Sequence, residues 1–220
     1  MYQWDFASLW SYRWLFVHGL GVTVAFTVAI VVLGLIVGLI SAMFSLSKWS
    51  ALRWLSRGFV EVFRCTPVLV QLVWFYYALP VLSGIEMSAI TASLIALSLY
   101  GASFYSEIIR GGVNSIDRGQ SEAGAALGMT PSQSMRRIVL PQALKRMVPP
   151  LMNQSIIQFK NTSLVSTLAV PDLLYQAQIA AHDSYRPLEI YTAVAVAYFV
   201  LLFPLTALVR WGEKKLSESD

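Results

Sequence analysis

Long stretches without charged side chains alternate with short basic segments along this chain. Four stretches contain no Asp, Glu, Lys or Arg, and a fifth is interrupted only by Lys160. A helix needs about 20 consecutive, mainly apolar residues to cross a bilayer. The pattern therefore predicts five transmembrane helices. They cover Trp14–Phe44, Pro67–Leu82, Ser88–Ile109, Met147–Leu168 and Leu188–Trp211.

The composition agrees with an all-α integral membrane protein that forms one domain over residues 1–220. Hydrophobic residues make up 56% of the chain and charged residues only 13%, which is too apolar for an ordinary soluble domain. The first 13 residues lack a cationic segment with a small-residue cleavage site, so we expect the first helix to be retained. Cys65 is the only cysteine, which excludes an intrachain disulfide.

The positive charge is concentrated in alternate polar segments. Most of the 16 Lys and Arg residues lie in Ser47–Arg64, in Glu107–Arg146 and in the tail from Arg210. Basic residues accumulate on the cytoplasmic side of membrane proteins, so these three segments are predicted to be cytoplasmic. The N-terminus is then outside and the C-terminus inside, as five spans also require. Ser47–Arg64 and the outer segment Ala169–Glu189 are expected to be loops.

The segment of residues 113–145 is too polar to cross a membrane. It is predicted to fold as a cytoplasmic element made of two short helices. The first covers Arg118–Leu127, and Gly128 follows it as a residue that tolerates positive φ. The second helix covers Pro131–Val139 and ends before Pro141. Such a bent element is suited to docking another protein.

Glycines in the first span allow two interpretations. Gly34 and Gly38 have the small-xxx-small spacing that lets another helix approach closely. Glycine is also common in membrane helices, and we favour incidental packing over a dedicated contact.

The fourth span is the least apolar of the five. Gln154, Gln158 and Asn161 fall on one helical face, which we expect to point at protein or water because polar groups are costly in lipid. Lys160 needs an acceptor at this depth, and a substrate carboxylate would serve. Alternatively, Lys160 reaches outward or bonds to helix-end carbonyls. The two interpretations are evenly balanced.

Signatures of catalysis are missing from the sequence. No glycine-rich loop ends in Gly-Lys, so the chain has no such cradle for nucleotide phosphates. His18 and His182 are far apart, and no pair of histidines has metal-ligand spacing. Glu107 and Arg110 lie one turn apart, and we favour a mutual ion pair over a gate or substrate contact. The chain is therefore not expected to be an enzyme by itself or to bind a metal.

The polar insert matches a known motif. The pattern Glu-Ala-Ala-x3-Gly-x9-Ile-x-Leu-Pro is met at its family spacing, and its matching positions are Glu122, Ala123, Gly128, Ile138, Leu140 and Pro141. The chain thereby resembles the permease subunits of binding-protein-dependent ABC importers. Gly124 departs from the third position, where alanine is usual.

Three further segments are similar to the polar amino acid branch of that family. They are residues 63–71, 105–112 and 159–164, so with the insert the resemblance extends over nearly the whole chain. The opening residues 1–6 look like those of glutamate/aspartate importers.

The resemblance implies an ATP-driven importer of a polar amino acid, with glutamate or aspartate as the first expectation. It implies a bacterial inner-membrane assembly of this multi-pass chain with a second permease (identical or a paralogue), two ATP-binding subunits and an external amino-acid-binding protein. ATP and Mg²⁺ would be bound by the ATP-binding subunits, lipid would surround the permeases, and no nucleic acid is expected. The alternatives are an ATP-independent secondary transporter or channel subunit and a structural membrane scaffold.

The resemblance also implies roles for particular residues. Those expected to couple the chain to the ATPase are Glu122, Ala123, Gly124, Gly128 and Pro141. Those expected along the substrate path are Gln71, Glu107, Gln154, Gln158, Lys160 and Asn161.

Overall fold

A computed structural model describes residues 2–217, and this part of the chain is helical with no β-strand. The helices are α1 (Arg13–Ser45), α2 (Ser50–Cys65), α3 (Val68–Val73), α4 (Leu79–Ser83), α5 (Ala89–Asn114), α6 (Arg118–Ala126), α7 (Pro131–Ser134), α8 (Leu140–Asn161), α9 (Leu173–Ser184) and α10 (Pro187–Ser217). Two 3₁₀ segments, Ala7–Tyr12 and Thr162–Leu168, precede α1 and follow α8. Two π-helical turns, Trp74–Ala78 and Met135–Val139, join α3 to α4 and α7 to α8.

Three helices in the described range are long and apolar enough to cross a membrane. They cover Leu9–Ser45, Ala89–Asn114 and Pro187–Gly212. A fourth crossing is possible if α2 and the helix Val68–Ser83, which meet at an angle of 105°, together form one broken span. The predicted fourth span, Met147–Leu168, falls on the second half of α8 and the 3₁₀ segment after it. The count of five spans stays a prediction.

Two segments expected to be loops contain helices, and both expectations were wrong. Within Ser47–Arg64, α2 is strongly amphipathic and buries only Ser56 and Val60, so its charged residues lie on one side of a helix. Within Ala169–Glu189, α9 begins at Asp172, whose side chain accepts a hydrogen bond from the amide of Tyr175. Charge and proline content signal a boundary between spans, but they do not exclude a helix there.

Pro141 lies inside a continuous helix, so the prediction that the helix ends before it was also wrong. Proline lacks an amide hydrogen, and its ring clashes with the carbonyl four residues earlier in an α-helix. The carbonyl concerned is that of Arg137, which lies within the wide π-helical turn that precedes α8. Pro80 follows the other π-helical turn in the same way. The wider turn relieves the clash, and the helix continues.

The centre of the bundle is α5, which packs against α1, α2, α3 and α8. Gly34 and Gly38 of α1 face Tyr105 of α5. A Cβ atom at Gly38 would lie 2.7 Å from the Cβ of Tyr105 and 2.9 Å from the carbonyl oxygen of Ala102. The small-xxx-small spacing therefore forms a close helix contact inside this chain.

Helix α8 runs antiparallel to α5 and approaches it closely at two glycines. A Cβ at Gly101 would lie 2.1 Å from Nε2 of Gln158, and one at Gly112 would lie 2.1 Å from Cγ of Met147. The side chains of α8 thus occupy the space that side chains on α5 would otherwise take. This contact joins the two helices over about 11 residues of α5, or roughly 16 Å.

The two ends of the bundle differ in what covers them. At the insert end, where α1 and α5 finish, lie α6, α7 and the start of α8. At the opposite end, the N-terminal segment is attached to the start of α10 through Glu189, whose side chain has no exposed surface. Its carboxylate accepts hydrogen bonds from the hydroxyl of Tyr2 and the amide of Asp5 and pairs with Arg186.

Replacing Gly38 with alanine should force α1 away from α5, because the new methyl group would meet backbone atoms that cannot rotate away. We expect a loss of about 1–3 kcal/mol in unfolding free energy, measured by thermal unfolding of the detergent-solubilised protein. Gly21→Ala, in the same helix, is the control. A Cβ at Gly21 meets nothing within 4 Å, so this variant should be at least as stable as the parent. Equal stability of both variants would contradict the packing described here.

Candidate functional site: the polar insert and the intramembrane polar residues

The insert is a hairpin of helices whose corner is defined by hydrogen bonds. Helix α6 begins after Asp117, which accepts a hydrogen bond from the amide of Gly119 at 2.7 Å. It ends at Gly128, where φ is +76°. The amide of Gly128 donates to the carbonyl of Ala125, and that of Met129 donates to the carbonyl of Gly124, which is the Schellman arrangement. The predicted glycine corner is confirmed.

A capping box starts the second helix of the insert. The amide of Thr130 donates to Oε1 of Gln133 at 2.9 Å, and the amide of Gln133 donates to Oγ1 of Thr130 at 3.3 Å. Both ends of the corner therefore have their backbone groups satisfied. The hairpin has a defined shape before any partner binds.

Gly124 lies on the inner side of this hairpin. It is the one buried residue of α6, and a Cβ there would lie 3.0 Å from Cδ1 of Ile138 and 3.2 Å from Oγ of Ser134. Its missing side chain thus allows the two helices of the insert to approach each other. Glu122 and Ala123 are exposed instead, and Leu127 at the tip is 79% exposed. Sequence reasoning did not single out Leu127, although a leucine beside a helix-ending glycine in a polar segment is a usable signal.

The base of the insert is fixed to the bundle by an apolar cluster. Its buried members, Ile116, Val139, Ala143 and Met147, come from both sides of the hairpin. Arg146 adds a hydrogen bond to the backbone carbonyl of Ser115. Because α8 then continues from Leu140 to Asn161, the insert and this helix are one continuous element.

Gln71 holds the bend between α2 and α3. Its Nε2 donates to the carbonyl of Phe63 at 2.8 Å and to that of Thr66 at 2.9 Å. Phe63 is in the last turn of α2 and Thr66 directly follows the helix, so neither carbonyl has an amide partner within the helix. The 6% exposure of Gln71 makes it mainly a structural residue in this state of the chain. Its role on the substrate path stays a prediction.

Glu107 forms the ion pair favoured from the sequence. It accepts two hydrogen bonds from the guanidinium of Arg110, at 2.8 and 2.7 Å. Arg64, at the end of α2, lies 3.7 Å from the same carboxylate. The three residues connect α2 to α5 near the insert end. In residues 2–217 no cluster of three or more His, Cys, Asp or Glu side chains could hold a metal ion.

The polar face of α8 points at protein, as expected. Gln158 is fully buried, and its Nε2 donates to the carbonyl of Leu97 in α5 at 2.8 Å. Asn161 donates to Oε1 of Gln158 at 3.2 Å. Gln154 is 6% exposed. Gln158 therefore lies in the contact between α8 and α5, Gln154 is buried on the same face of α8, and Asn161 is half-buried at its edge.

Lys160 differs from these neighbours because its side chain is exposed. It lies in the last turn of α8, immediately before the 3₁₀ segment Thr162–Leu168. The nearby Gln158 donates a hydrogen bond to the carbonyl of Leu97. Leu97 lies eight residues from the start of α5, or roughly 12 Å along that helix. Lys160 thus lies between the two ends of the bundle, and its exposed side chain faces away from this chain's own core.

Comparison with known proteins identifies the class. The family profile described as "Binding-protein-dependent transport system inner membrane component" matches residues 30–218. The chain belongs to this family, and it is a multi-pass protein of the plasma membrane. The family resemblance expected from the sequence is therefore confirmed.

Particular relatives narrow the class to amino acid transport. The chain is 36% identical to the glutamate/aspartate import permease protein GltK of Escherichia coli O6:H1, covering 98% of this chain and 99% of that one. It is 37% identical to the probable glutamine ABC transporter permease protein GlnM of Bacillus subtilis, covering 81% and 82%. A crystal structure of an amino acid ABC transporter with histidines superposes with a TM-score of 0.92 at 34% identity, covering 97% of this chain and all of that chain.

Asp172 is a buried acidic residue that sequence reasoning missed. It has no exposed surface, and its Oδ2 has no hydrogen-bond partner among the described residues. The adjacent amide of Leu173 donates to Oγ1 of Thr23, which brings the start of α9 against α1. Burial raises the pKa of Asp172 to about 6. The proline before it and the apolar residues after it were the available signals of a capped, buried helix start.

This raised pKa predicts a pH-dependent stability. The folded protein binds the proton of Asp172 more tightly than the unfolded chain does, so the contribution is fully present below about pH 4 and is lost as pH rises through about 6. Asp172→Asn resembles the protonated form and still caps the helix. We expect it to be more stable than the parent at pH 8, by about 1–3 kcal/mol, and to match it near pH 4.

Thermal unfolding of the solubilised protein between pH 4 and pH 8 measures this effect. Asp117→Asn is the matched control, because Asp117 also caps a helix but is exposed. It should leave the pH profile of the parent unchanged. A parent profile that is unaffected by Asp172→Asn would refute the assignment.

Proposed function

We propose that this chain is the permease subunit of an ATP-driven importer that carries a polar amino acid, with glutamate or aspartate as the first candidate, into a bacterial cell. Family membership supports membrane transport of this class. The observation that supports ATP as the energy source is the exposed helical hairpin, which is joined without a break to helix α8 of the bundle.

The hairpin is proposed as the docking element for an ATP-binding subunit. Glu122, Ala123 and Leu127 form its exposed contact, in which Leu127 enters an apolar pocket and Glu122 accepts hydrogen bonds from basic groups. Gly124 contributes by keeping the hairpin compact. When the ATP-binding subunits move, the hairpin moves as a rigid body and carries α8 and α5 with it.

The proposed topology has five crossings, with the N-terminus outside and the insert and C-terminus in the cytoplasm. Helices α1, α5 and α10 supply three crossings, and the predicted span Pro67–Leu82, which falls on α3, the π-helical turn Trp74–Ala78 and α4, supplies a fourth. Met147–Leu168 supplies the fifth. Its buried glutamines and close contact with α5 support a position inside protein rather than in lipid.

A second permease chain, identical or a paralogue, is proposed to face this one. Five crossings rarely enclose a path alone, and the exposed Lys160 at bundle depth needs an acceptor or water. Two ATP-binding subunits and an external amino-acid-binding protein complete the assembly, as the family's description as a binding-protein-dependent system suggests.

Lys160 and Asn161 are proposed to contact the substrate in the shared cavity. The ammonium of Lys160 binds a substrate carboxylate, and Asn161 lies beside it at the edge of the buried face. Gln158 supports them from behind by holding α8 against α5, and Gln154 is buried on the same face of α8. A cationic group in the path favours an acidic amino acid, in agreement with the relative that imports glutamate and aspartate.

Gly128→Val should abolish ATP-dependent uptake, because a β-branched residue is strained at a φ of +76° and shifts the corner of the hairpin. Uptake by the complete assembly in vesicles, with external binding protein and internal ATP, is the measurement. Gly128→Asn is the control. Asparagine tolerates the left-handed region, and a Cβ at this position meets nothing within 4 Å, so uptake should be largely retained. Native uptake by Gly128→Val, or uptake without ATP, would exclude the proposed coupling and favour a secondary transporter or channel.

Lys160→Ala should lower uptake by about tenfold or more, as expected for the loss of a charged hydrogen bond to the substrate. The affinity of the separate binding protein should not change, and neither should co-purification of the ATP-binding subunits. Lys160→Arg keeps the positive charge and should retain a larger part of the uptake. If Lys160→Ala transports as well as the parent, Lys160 does not contact the substrate.

A further inference from the structure

We infer that a cleft at the insert end binds the phosphate of an anionic phospholipid through Arg57 and Arg53. The cleft has a volume of about 540 Å³ and lies between α2 and the final turns of α1 and α5. None of its residues belongs to the proposed substrate contact at Lys160 or to the exposed tip of the hairpin. Glu107, which is expected along the substrate path, also lines the cleft, but Arg53 and Arg57 are not among the residues expected on that path.

The depth of the cleft suits a lipid headgroup. Ser45 and Leu46, where α1 ends, form one wall, and Asn114, the last residue of α5, lies in another. The predicted spans within these helices end at Phe44 and Ile109, so the cleft begins where hydrocarbon gives way to headgroups. A ligand in this cleft meets the phosphate layer of the bilayer.

Arg57 is the group most available for a ligand. Its side chain is exposed, lines the cleft, and forms no hydrogen bond or ion pair with the other described residues. Arg53, one turn earlier, is held in place by hydrogen bonds from its NH1 to the carbonyls of Ser47 and Lys48. A guanidinium has five N–H donors, so Arg53 keeps donors for a phosphate oxygen.

Ser45, which also lines the cleft, carries a second unsatisfied group. The hydroxyl oxygen of Ser45 is buried and has no hydrogen-bond partner in the part of the chain that the structure describes. A phosphate oxygen would accept its hydrogen. The cleft thus combines a free guanidinium, a positioned guanidinium and an unpartnered hydroxyl, which together match the acceptor-rich phosphate group.

Two carboxylates also line the cleft and must be accounted for. Glu107 is already neutralised by its two hydrogen bonds from Arg110. Glu61 is exposed, and its carboxylate accepts a hydrogen bond from the thiol of Cys65, one turn further along α2. The three arginines of the cleft outnumber these two carboxylates, so an anion is favoured over a cation.

The surroundings favour a lipid over a soluble anion. Trp49 and Trp54 are 73% and 71% exposed, and Trp54 is three residues from Arg57, on an adjacent part of the helix surface. Exposed tryptophans beside basic residues on an amphipathic helix are typical of segments that lie at the membrane interface. The ligand is therefore amphiphilic, with its phosphate in the cleft and its acyl chains against the apolar side of α2.

The test is native mass spectrometry of the purified, complete assembly titrated with phosphatidylglycerol and, separately, phosphatidylcholine. We expect phosphatidylglycerol to bind more tightly, and Arg57→Gln to weaken its binding by about tenfold, as for the loss of one charged hydrogen bond. Arg210→Gln is the matched control, because Arg210 is also an exposed arginine near the insert end of a long helix. It should change the affinity by less than about twofold, since only long-range attraction is lost.

Each alternative result would overturn the inference. Equal losses in the two variants would mean general attraction to a basic surface and no defined site. Equal binding of phosphatidylcholine would exclude recognition of the anionic headgroup. If inorganic phosphate displaced phosphatidylglycerol at similar concentrations, the ligand would be a soluble anion. Lipid binding is measured without transport, so its failure would leave the proposed import function untouched, and the reverse also holds.

Discussion

The bundle depends on the close approach of α1 and α8 to α5. Between helices in lipid there is little hydrophobic driving force, so association relies on tight packing and on hydrogen bonds between helices. Gly38 brings the backbone of α1 onto α5, and Gly101 and Gly112 let α8 approach a neighbouring face of α5. Interhelical hydrogen bonds, such as that from Gln158 to the carbonyl of Leu97, add specificity to these contacts. Without the glycines, the polar groups would be separated and left unsatisfied in a medium that cannot replace their partners.

This packing also attaches the insert to the bundle. The hairpin rests on a cluster that includes Ile116 and Met147, and Met147 also fills the space beside Gly112. Helix α8 then extends from the base of the hairpin to Asn161, past the buried contact of Gln158. In the proposed coupling, a displacement applied at the exposed tip would reach the level of Lys160 through α8, which contains Pro149 and Pro150. At the tip, backbone hydrogen bonds define the corner at Gly128.

Sequence patterns were sufficient to predict the long apolar helices, the helical hairpin and membership of the transport family. Hydrophobic runs are a local property, and a left-handed glycine corner follows from a few neighbouring residues. They were insufficient where a residue's partner is distant in the chain. Gly124 looked suited to an external partner but packs against Ile138. A local rule failed as well, because Pro141 looked like a helix end, yet the π-helical turn just before it accommodates it.

The polar residues of α8 illustrate the same division. Their helical spacing is enough to place Gln154, Gln158 and Asn161 on one face and to require that this face avoid lipid. Which of them meets the chain's own α5, and which is left for another molecule, depends on how the helices are rotated and on where α5 has glycines. That arrangement buries both glutamines and leaves Lys160 exposed. The sequence by itself thus determines which segments are helices and which of them prefer the membrane, because these properties arise from neighbouring residues. Only the packed bundle decides which partner each polar group has, because those partners lie tens of residues away in the chain.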